Sequence, residues 1–130
     1  MRHWVLAGLT AAGVLIGGTV LAQSPGIVGQ KPSDVTFTEK GLESVIAGAL
    51  VRFYDGSVAQ YYRDRSYVYT AGDGRTSYRG LWEVYDGGQI CVRFENGFTR
   101  CDTYVRSANK MILIEASGTR YPVRSKISLQ

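Results

Sequence analysis

Glycine-containing turn motifs recur at short intervals from Ala49 onward, and they constrain the fold more than any other feature of this sequence. Between them lie short runs rich in Tyr, Val, Phe, Ile and Thr, the residue types that favour strands. Tight hairpin turns require residues that tolerate a positive φ angle, and glycine tolerates it best. The five motifs are Asp55-Gly56, Asp73-Gly74, Asp86-Gly87-Gly88, Asn96-Gly97 and Ser117-Gly118.

The runs between these turns predict seven or eight antiparallel strands. Strands joined in sequence by such short turns favour an up-and-down meander, either closed into a barrel or left as a strongly curved sheet. The predicted fold class is therefore mainly β, with one short N-terminal helix before the strands. The predicted strands span approximately residues 49–54, 57–63, 66–70, 76–85, 89–94, 98–105, 110–115 and 119–124.

The short helix is indicated by residues 38–47. Leu42, Val45 and Ile46 recur there at helical spacing, behind Thr38, which is a suitable N-cap residue. A glycine follows this segment, at the position where helices commonly end.

The first residues have the pattern of a signal peptide. Arg2 gives a basic start, residues 5–21 carry no charge, and Val20-Leu21-Ala22 supplies small residues at the positions that a signal peptidase requires. Residues 1–22 are therefore predicted to be cleaved on export. The alternative is an uncleaved anchor, because residues 4–22 approach the length of about 20 apolar residues that spans a bilayer.

Export divides the rest of the chain into two parts. Residues 23–35 contain proline and glycine without a periodic apolar pattern, and they predict a flexible tether. Residues 36–130 are predicted to form a single β domain. We expect the mature protein in the periplasm or secreted from the cell, with no stable membrane span after the signal peptide is cleaved.

The register of the central hairpin follows from its turn. If Asp86-Gly87-Gly88 closes a hairpin between Tyr85 and Gln89, every apolar pair next to the turn falls on one face, as expected of a core face. The predicted pairs are Val84 with Ile90, Trp82 with Val92 and Gly80 with Phe94.

The two cysteines fix the register of the following hairpin. A two-residue Asn96-Gly97 loop would place Cys91 and Cys101 on opposite faces, where no disulfide could form. A three-residue loop that includes Glu95, with Gly97 in the left-handed region, sets the two cysteines directly opposite each other. We therefore predict a structural disulfide between Cys91 and Cys101, which suits a small exported domain.

The sequence offers little of the chemistry that catalysis or metal binding requires. The only histidine, His3, lies in the predicted signal peptide, so the mature domain has no imidazole for nucleophile activation, proton transfer or metal binding. Asp55, Asp73 and Asp86 each precede a glycine and are explained as turn residues. We expect no catalytic residue, no metal and no cofactor, and no nucleic-acid partner, because no run of basic residues is present.

The predicted register places charges on the apolar face. Following this face into the next strand gives Arg100, Asp102 and Tyr104. Charges buried there must pair, lie near water or line a polar pocket. The first interpretation is an internal ion pair or a rim; the second is a pocket for a small anionic or aromatic ligand, formed by Tyr78, Trp82, Arg100, Asp102 and Tyr104. If the opposite face were buried, the core would instead contain Leu81, Cys91, Cys101 and Val105.

Short motifs in the same region carry a resemblance to known proteins. They are Gly80-Leu81-Trp82, Ile90-Cys91-Val92, Asn96-Gly97 and Arg100-Cys101. With this pattern, about residues 48–124 resemble a group of small exported bacterial proteins classed as a domain of unknown function. The Gly-x-Trp motif also resembles lipocalin-like β-barrels, where it opens the first strand, whereas several predicted strands precede it here. Neither resemblance implies an activity, because a fold does not fix a function.

These observations predict a non-enzymatic exported module that binds a small ligand or an envelope component. The alternative is a protein-protein interaction or inhibitor module without an internal pocket, which would expose an aromatic patch that includes Tyr61, Tyr67 or Tyr69. Enzymatic activity is the least favoured function, because it would require clustered carboxylates in a cleft.

Overall fold

The computed structural model describes Gly13 and residues 26–129. The predicted signal peptide, residues 1–22, lies outside the described residues apart from Gly13, as do residues 23–25 of the predicted tether. No helix within the described ranges combines the length and the apolar character needed to cross a membrane.

The fold is mainly β. Eight antiparallel strands form a closed meander barrel, and the described part of the chain has one α-helix, which precedes them. This confirms the predicted fold class and shows that the curved sheet closes into a barrel. The elements are β1 (Val35–Thr36), α1 (Glu39–Ile46), β2 (Ala49–Phe53), β3 (Val58–Tyr61), β4 (Ser66–Thr70), β5 (Ser77–Tyr85), β6 (Gln89–Phe94), β7 (Thr99–Ser107), β8 (Lys110–Ile114) and β9 (Arg120–Ser128).

The last strand closes the barrel by pairing with the first barrel strand. The β2–β9 ladder runs from Ala49 opposite Ser128 to Phe53 opposite Val123. The sequence predicted that the last strand would end near residue 124, but β9 continues to Ser128, because its second half provides the hydrogen-bonding partners of β2. The two-residue strand β1 lies outside the meander and pairs with β7.

The predicted register of the central strands is confirmed. Trp82 lies opposite Val92, and Cys91 lies opposite Cys101. Gly97 has a φ angle of 86°, as the three-residue loop requires. The cysteines form a disulfide on the outer side of the barrel, while Trp82 and Val92 point into the core and are buried.

Helix α1 begins and ends as its sequence predicts. The Thr38 hydroxyl oxygen caps it by accepting a hydrogen bond of 3.0 Å from the Gly41 N–H. Leu42 and Ile46 are fully buried in the main core cluster. The helix contacts β5 and the turn Asp86–Gly88, so it covers the end of the barrel where β5 turns into β6.

The opposite end of the barrel has no such helix in the described part of the chain. Because the strands form a meander, the turns β2–β3, β4–β5, β6–β7 and β8–β9 all lie at this end. We call it the open end. It is the end at which the cavity described below lies.

The described part of the predicted tether contacts the outside of the barrel. Ile27 packs against a small apolar cluster of Val105, Ile112 and Ile114, on the outer side of β7 and β8. Asp34 is buried and receives two hydrogen bonds from the Arg120 guanidinium. These contacts were not predicted, because they join residues that are far apart in the sequence.

Candidate functional site

The barrel contains a cavity of about 110 Å³ near its open end. Side chains from seven of the eight barrel strands and their turns surround it. The lining residues are Phe53, Asp55, Ser57, Ala59, Tyr61, Tyr67, Tyr69, Ile90, Val92, Phe94, Arg100, Asp102, Leu113, Glu115 and Tyr121. The site therefore combines a largely aromatic wall with a few charged groups, as small-molecule pockets commonly do.

The aromatic wall is held by ring-to-ring contacts. Tyr61 and Tyr67 have ring centroids 5.1 Å apart, and Phe94 meets Tyr67 edge-on at 5.9 Å. On the other side, Phe53 meets Tyr121 edge-on at 6.5 Å. Such pairs stabilise the arrangement beyond the area that they bury. The cavity walls are therefore built from aromatic side chains that pack against one another.

A charged network lies at the mouth of the cavity. Arg100 Nε donates to Asp102 Oδ2 at 2.7 Å, and Arg100 Nη2 donates to Glu115 Oε1 at 2.9 Å. Asp102 keeps 12% of its side-chain surface exposed and Arg100 keeps 41%, so the network extends from the interior to water. Burial raises the pKa of the Asp102 carboxyl, and its hydrogen bond to Arg100 partly opposes this rise.

The inner end of the cavity rests on a pair of tyrosines. The hydroxyl oxygens of Tyr61 and Tyr104 are 2.9 Å apart and share a hydrogen bond. Burial raises the pKa of both groups, so both are neutral phenols at physiological pH. The pair satisfies two polar groups in the core that would otherwise be costly to bury.

The hydroxyl group of Tyr67 is different. Tyr67 is 8% exposed and lines the cavity, yet its hydroxyl has no hydrogen-bond partner among residues 26–129. Every fully buried side-chain nitrogen or oxygen in this range has a partner, so the unpaired Tyr67 hydroxyl keeps some accessible surface. It is available to water or to a ligand.

The residues predicted for the pocket occupy three environments. Arg100 and Asp102 line the cavity together. Trp82 and Tyr104 are fully buried deeper in the core, and Tyr78 is 47% exposed at the surface. A strand advances about 3.3 Å per residue, so alternate residues of β7 step by about 7 Å from the mouth into the core. Residues on the same face of a strand can therefore lie at different depths in the barrel and need not line the same pocket.

Trp82 has a structural role, because its side chain is bound by other parts of the protein. Its indole Nε1 donates to the Tyr62 carbonyl oxygen at 2.7 Å, and the Arg65 guanidinium lies 4.3 Å from its ring centre. The indole nitrogen thus has a protein partner in the turn between β3 and β4. Trp82 therefore supports the barrel next to the helix-covered end.

Sequence reasoning missed the walls that come from distant strands. Phe53, Tyr69, Glu115 and Tyr121 line the cavity but were not predicted for it. One signal was available for Glu115. The turn at Ala108 and Asn109 has two residues with positive φ, and a two-residue turn there sets the β7–β8 register. Extending that register by one pair places Glu115 beside Asp102.

Aromatic side chains also lie outside the mouth. Tyr69 stacks on Tyr78 at 6.5 Å, and Phe94 stacks on Phe98 at 6.4 Å. We call these four residues the aromatic ledge. Phe98 is 62% exposed, whereas Tyr61 and Tyr67, which were predicted for an exposed patch, are buried inside the barrel. That prediction was wrong for these two residues, because their strand positions point inward.

The opposite face of the central strands is the outer surface, as the predicted register requires. Leu81 is 47% exposed, and both cysteines are partly exposed. Val105 is an exception on this side, because it is buried under Ile27 rather than inside the barrel. The described ranges contain no group of three or more His, Cys, Asp or Glu side chains that could hold a metal ion.

Comparison with known proteins gives no functional assignment. No protein-family model, no curated protein and no solved structure matches this chain. Of the resemblances drawn from the motifs, what the structure supports is the eight-stranded antiparallel barrel itself. Any function must therefore be argued from the site.

Proposed function

We propose that this protein is an exported, non-enzymatic module that binds a small ligand in the cavity at the open end of its barrel. The observation that supports this most is Tyr67, a largely buried residue that lines an aromatic cavity and whose hydroxyl has no protein partner among the described residues. An unpaired hydroxyl at such a position favours an occupant that can form a hydrogen bond with it.

The size of the cavity limits the ligand. Its volume of about 110 Å³ is smaller than that of an engineered apolar cavity of about 150 Å³ that takes up benzene. A ligand therefore places one small group inside, and any larger part extends through the mouth.

The location belongs to the same proposal. The Cys91–Cys101 disulfide is typical of proteins that fold outside the cytoplasm. The N-terminal pattern favours export by a cleaved signal peptide, and together they support a location in the periplasm or outside the cell. The ligand would then be a small molecule of that compartment or a group displayed by an envelope component.

A binding function is favoured over catalysis. The cavity has no imidazole, because the only histidine of the chain is His3. Two of its carboxylates, Asp102 and Glu115, already accept hydrogen bonds from Arg100. This arrangement suits a fixed binding wall better than the proton transfers of an acid-base mechanism.

Native mass spectrometry tests the proposal. Protein purified gently from its own cell envelope should carry an additional mass that is released on unfolding. Ala59→Leu should abolish retention, because Ala59 lines the cavity and a larger side chain would fill it. Val58→Leu is the matched control, because Val58 is its neighbour on β3 and does not line the cavity.

Circular dichroism must show that both variants fold before their retained masses are compared. Equal retention by the two variants would place the ligand elsewhere. Repeated absence of any retained mass from the unchanged protein would count against a tightly held ligand.

The aromatic ledge favours a second candidate function, an interaction module that binds another envelope protein. Phe98 and Tyr78 are largely exposed next to the mouth, and exposed apolar patches often mark interaction sites. Crosslinking in intact envelopes would test this candidate. Phe98→Ser should remove a specific crosslinked species, and a species that persists unchanged in this variant would exclude the ledge.

A further inference from the structure

The charges around the cavity are unequal. Its lining contains three carboxylates, Asp55, Asp102 and Glu115, and one cation, Arg100. Two hydrogen bonds from Ser57 to Asp55 Oδ1 lower the pKa of this carboxyl, so it is ionised at neutral pH. The formal charge at the mouth is therefore negative, although the chain as a whole is basic.

The single arginine does not offset this excess toward a ligand. Its guanidinium already donates to both Asp102 and Glu115, so its charge is matched inside the network. An anionic ligand would have to compete with these two carboxylates and would meet their repulsion. The network therefore points away from an anionic ligand, which is one of the two ligand types that the sequence predicted for a pocket here.

Two residues that line the cavity have a free hydrogen-bond acceptor. Asp102 accepts from Arg100 through Oδ2, whereas its Oδ1 atom has no partner among residues 26–129. The Tyr67 hydroxyl is likewise without a partner in this range, and neither atom is fully buried. A carboxylate oxygen can only accept, and a phenol oxygen can also accept, so the two atoms suit a donor group with several N–H bonds.

The aromatic wall favours the same class of ligand. Rings of Tyr61, Tyr67, Tyr69, Phe94 and Tyr121 line the cavity. The faces of such rings attract cations, more strongly where water is excluded. Negative charge, free acceptors and aromatic rings together select a positively charged organic group over a neutral or anionic one.

From this combination we propose that the cavity binds a small organic cation, a protonated amine on an apolar body, whose N–H groups donate to Asp102 Oδ1 and Tyr67 Oη. The proposal rests on the ligand-binding function above and names the chemical class of the ligand. Because the enclosed volume of about 110 Å³ is smaller than a cavity that takes up benzene, the part inside the barrel is the ammonium group with a small part of the apolar body, and the rest of the body lies in the mouth.

Three probes of one shape test the charge preference. Benzylamine, benzyl alcohol and benzoate share the ring and differ in being cationic, neutral and anionic at neutral pH. Each is titrated into the isotope-labelled mature protein while backbone amide shifts are followed by NMR. Benzylamine should bind about tenfold more tightly than benzyl alcohol, which is the scale of one charged hydrogen bond. Benzoate should bind most weakly, and the shifts should centre on the cavity strands.

Two variants test the named acceptors. Asp102→Asn should reduce the affinity for benzylamine to that for benzyl alcohol, because it removes the acceptor charge. Tyr67→Phe should weaken benzylamine binding several-fold and leave benzyl alcohol less affected, and it does not disturb the Arg100 network. Glu95→Gln is the control, because Glu95 is an exposed carboxylate in the β6–β7 turn that does not line the cavity.

The outcomes separate the two proposals. If benzyl alcohol or benzoate binds at the cavity as tightly as benzylamine, the cation preference is overturned and the ligand-binding function stands. If none of the three probes shifts the cavity residues, the cation proposal is overturned, whereas the ligand-binding function is decided by the mass spectrometry of the envelope-purified protein. A benzylamine preference that survives both Asp102→Asn and Tyr67→Phe would overturn the assigned acceptors.

Discussion

Arg120 joins two parts of the chain that no hairpin holds together, and Arg100 reinforces the hairpin of β7 and β8. Arg120, at the start of β9, binds Asp34 from the segment before the barrel and also donates to the Gly29 carbonyl oxygen at 2.9 Å. Arg100 links β7 to the turn after β8 through Glu115. Paired, hydrogen-bonded charges can be buried, whereas an unpaired one is costly. These side chains therefore position their segments as well as satisfy their own charge.

Because of the Asp34–Arg120 pair, the free energy of unfolding should decrease at low pH. The hydrogen bond from Arg120 lowers the pKa of Asp34 below its ordinary value of 3.8 in the folded protein. The pair contributes its full stabilisation at pH values above the ordinary pKa of 3.8. This contribution is lost as the pH falls through the lower pKa that Asp34 has in the folded protein. Asp34→Asn should lower the free energy of unfolding at neutral pH by about 2 kcal/mol, and it should reduce the further loss in acid.

Urea unfolding of both proteins over a series of pH values measures this effect. Glu95→Gln serves as the control, because its carboxylate is exposed and makes no ion pair among the described residues. A variant of Asp34 that is as stable as the unchanged protein at neutral pH would contradict the role of the pair.

At the scale of elements, local sequence predicts most of the fold. The strands and the short helix follow from alternation, helical spacing and glycine turns, since these depend on residues close together in the chain. Gly97 shows this well: its positive φ fixes a three-residue loop, and the loop fixes the disulfide.

The candidate site was less predictable for a physical reason. Arg100 and Asp102 could be placed because their strand was predicted from its neighbour. Phe53 and Tyr121 come from β2 and β9, which meet each other only when the barrel closes, and the stagger of a closed barrel depends on every strand together. The register of one hairpin therefore predicts only the cavity residues of that hairpin and not those of the other strands.

The β7–β8 turn gives a prediction about an element. Ala108 has a φ angle of 47° and Asn109 one of 68°, in the region that favours glycine. Ala108→Gly should raise the free energy of unfolding by about 0.5 to 1 kcal/mol, because relief of the left-handed strain exceeds the entropy that glycine loses. Thermal unfolding followed by circular dichroism measures the change.

Ala116→Gly provides the comparison for that turn. Ala116 is an exposed alanine in the β8–β9 turn, and its φ angle is not positive. This change should destabilise the protein slightly, because glycine adds freedom only to the unfolded chain. Equal effects of the two substitutions would show that the backbone at Ala108 is unstrained.

At the scale of the whole molecule, closure makes each barrel strand depend on two neighbours. β2 and β9 meet although most of the domain lies between them in sequence. The closed ladder leaves no single strand free to slip, since a slip would turn inward-facing residues outward. The disulfide lies within this wall, on the outer side of the two strands that supply Val92, Phe94, Arg100 and Asp102 to the cavity.

Removing the disulfide should therefore lower stability and preserve the register. In the chain-entropy model a loop of this length contributes about 2 to 3 kcal/mol, so Cys91→Ala combined with Cys101→Ala should lose about that much. Urea unfolding measures the loss, and the unchanged protein in reductant should match the double variant. Because β6 and β7 each also pair with a second neighbouring strand, cross-strand NMR contacts between Val92 and Arg100, which lie opposite each other on β6 and β7, should persist. Loss of these contacts in the folded variant would mean that the sulfur link, rather than barrel closure, sets the register of the cavity wall.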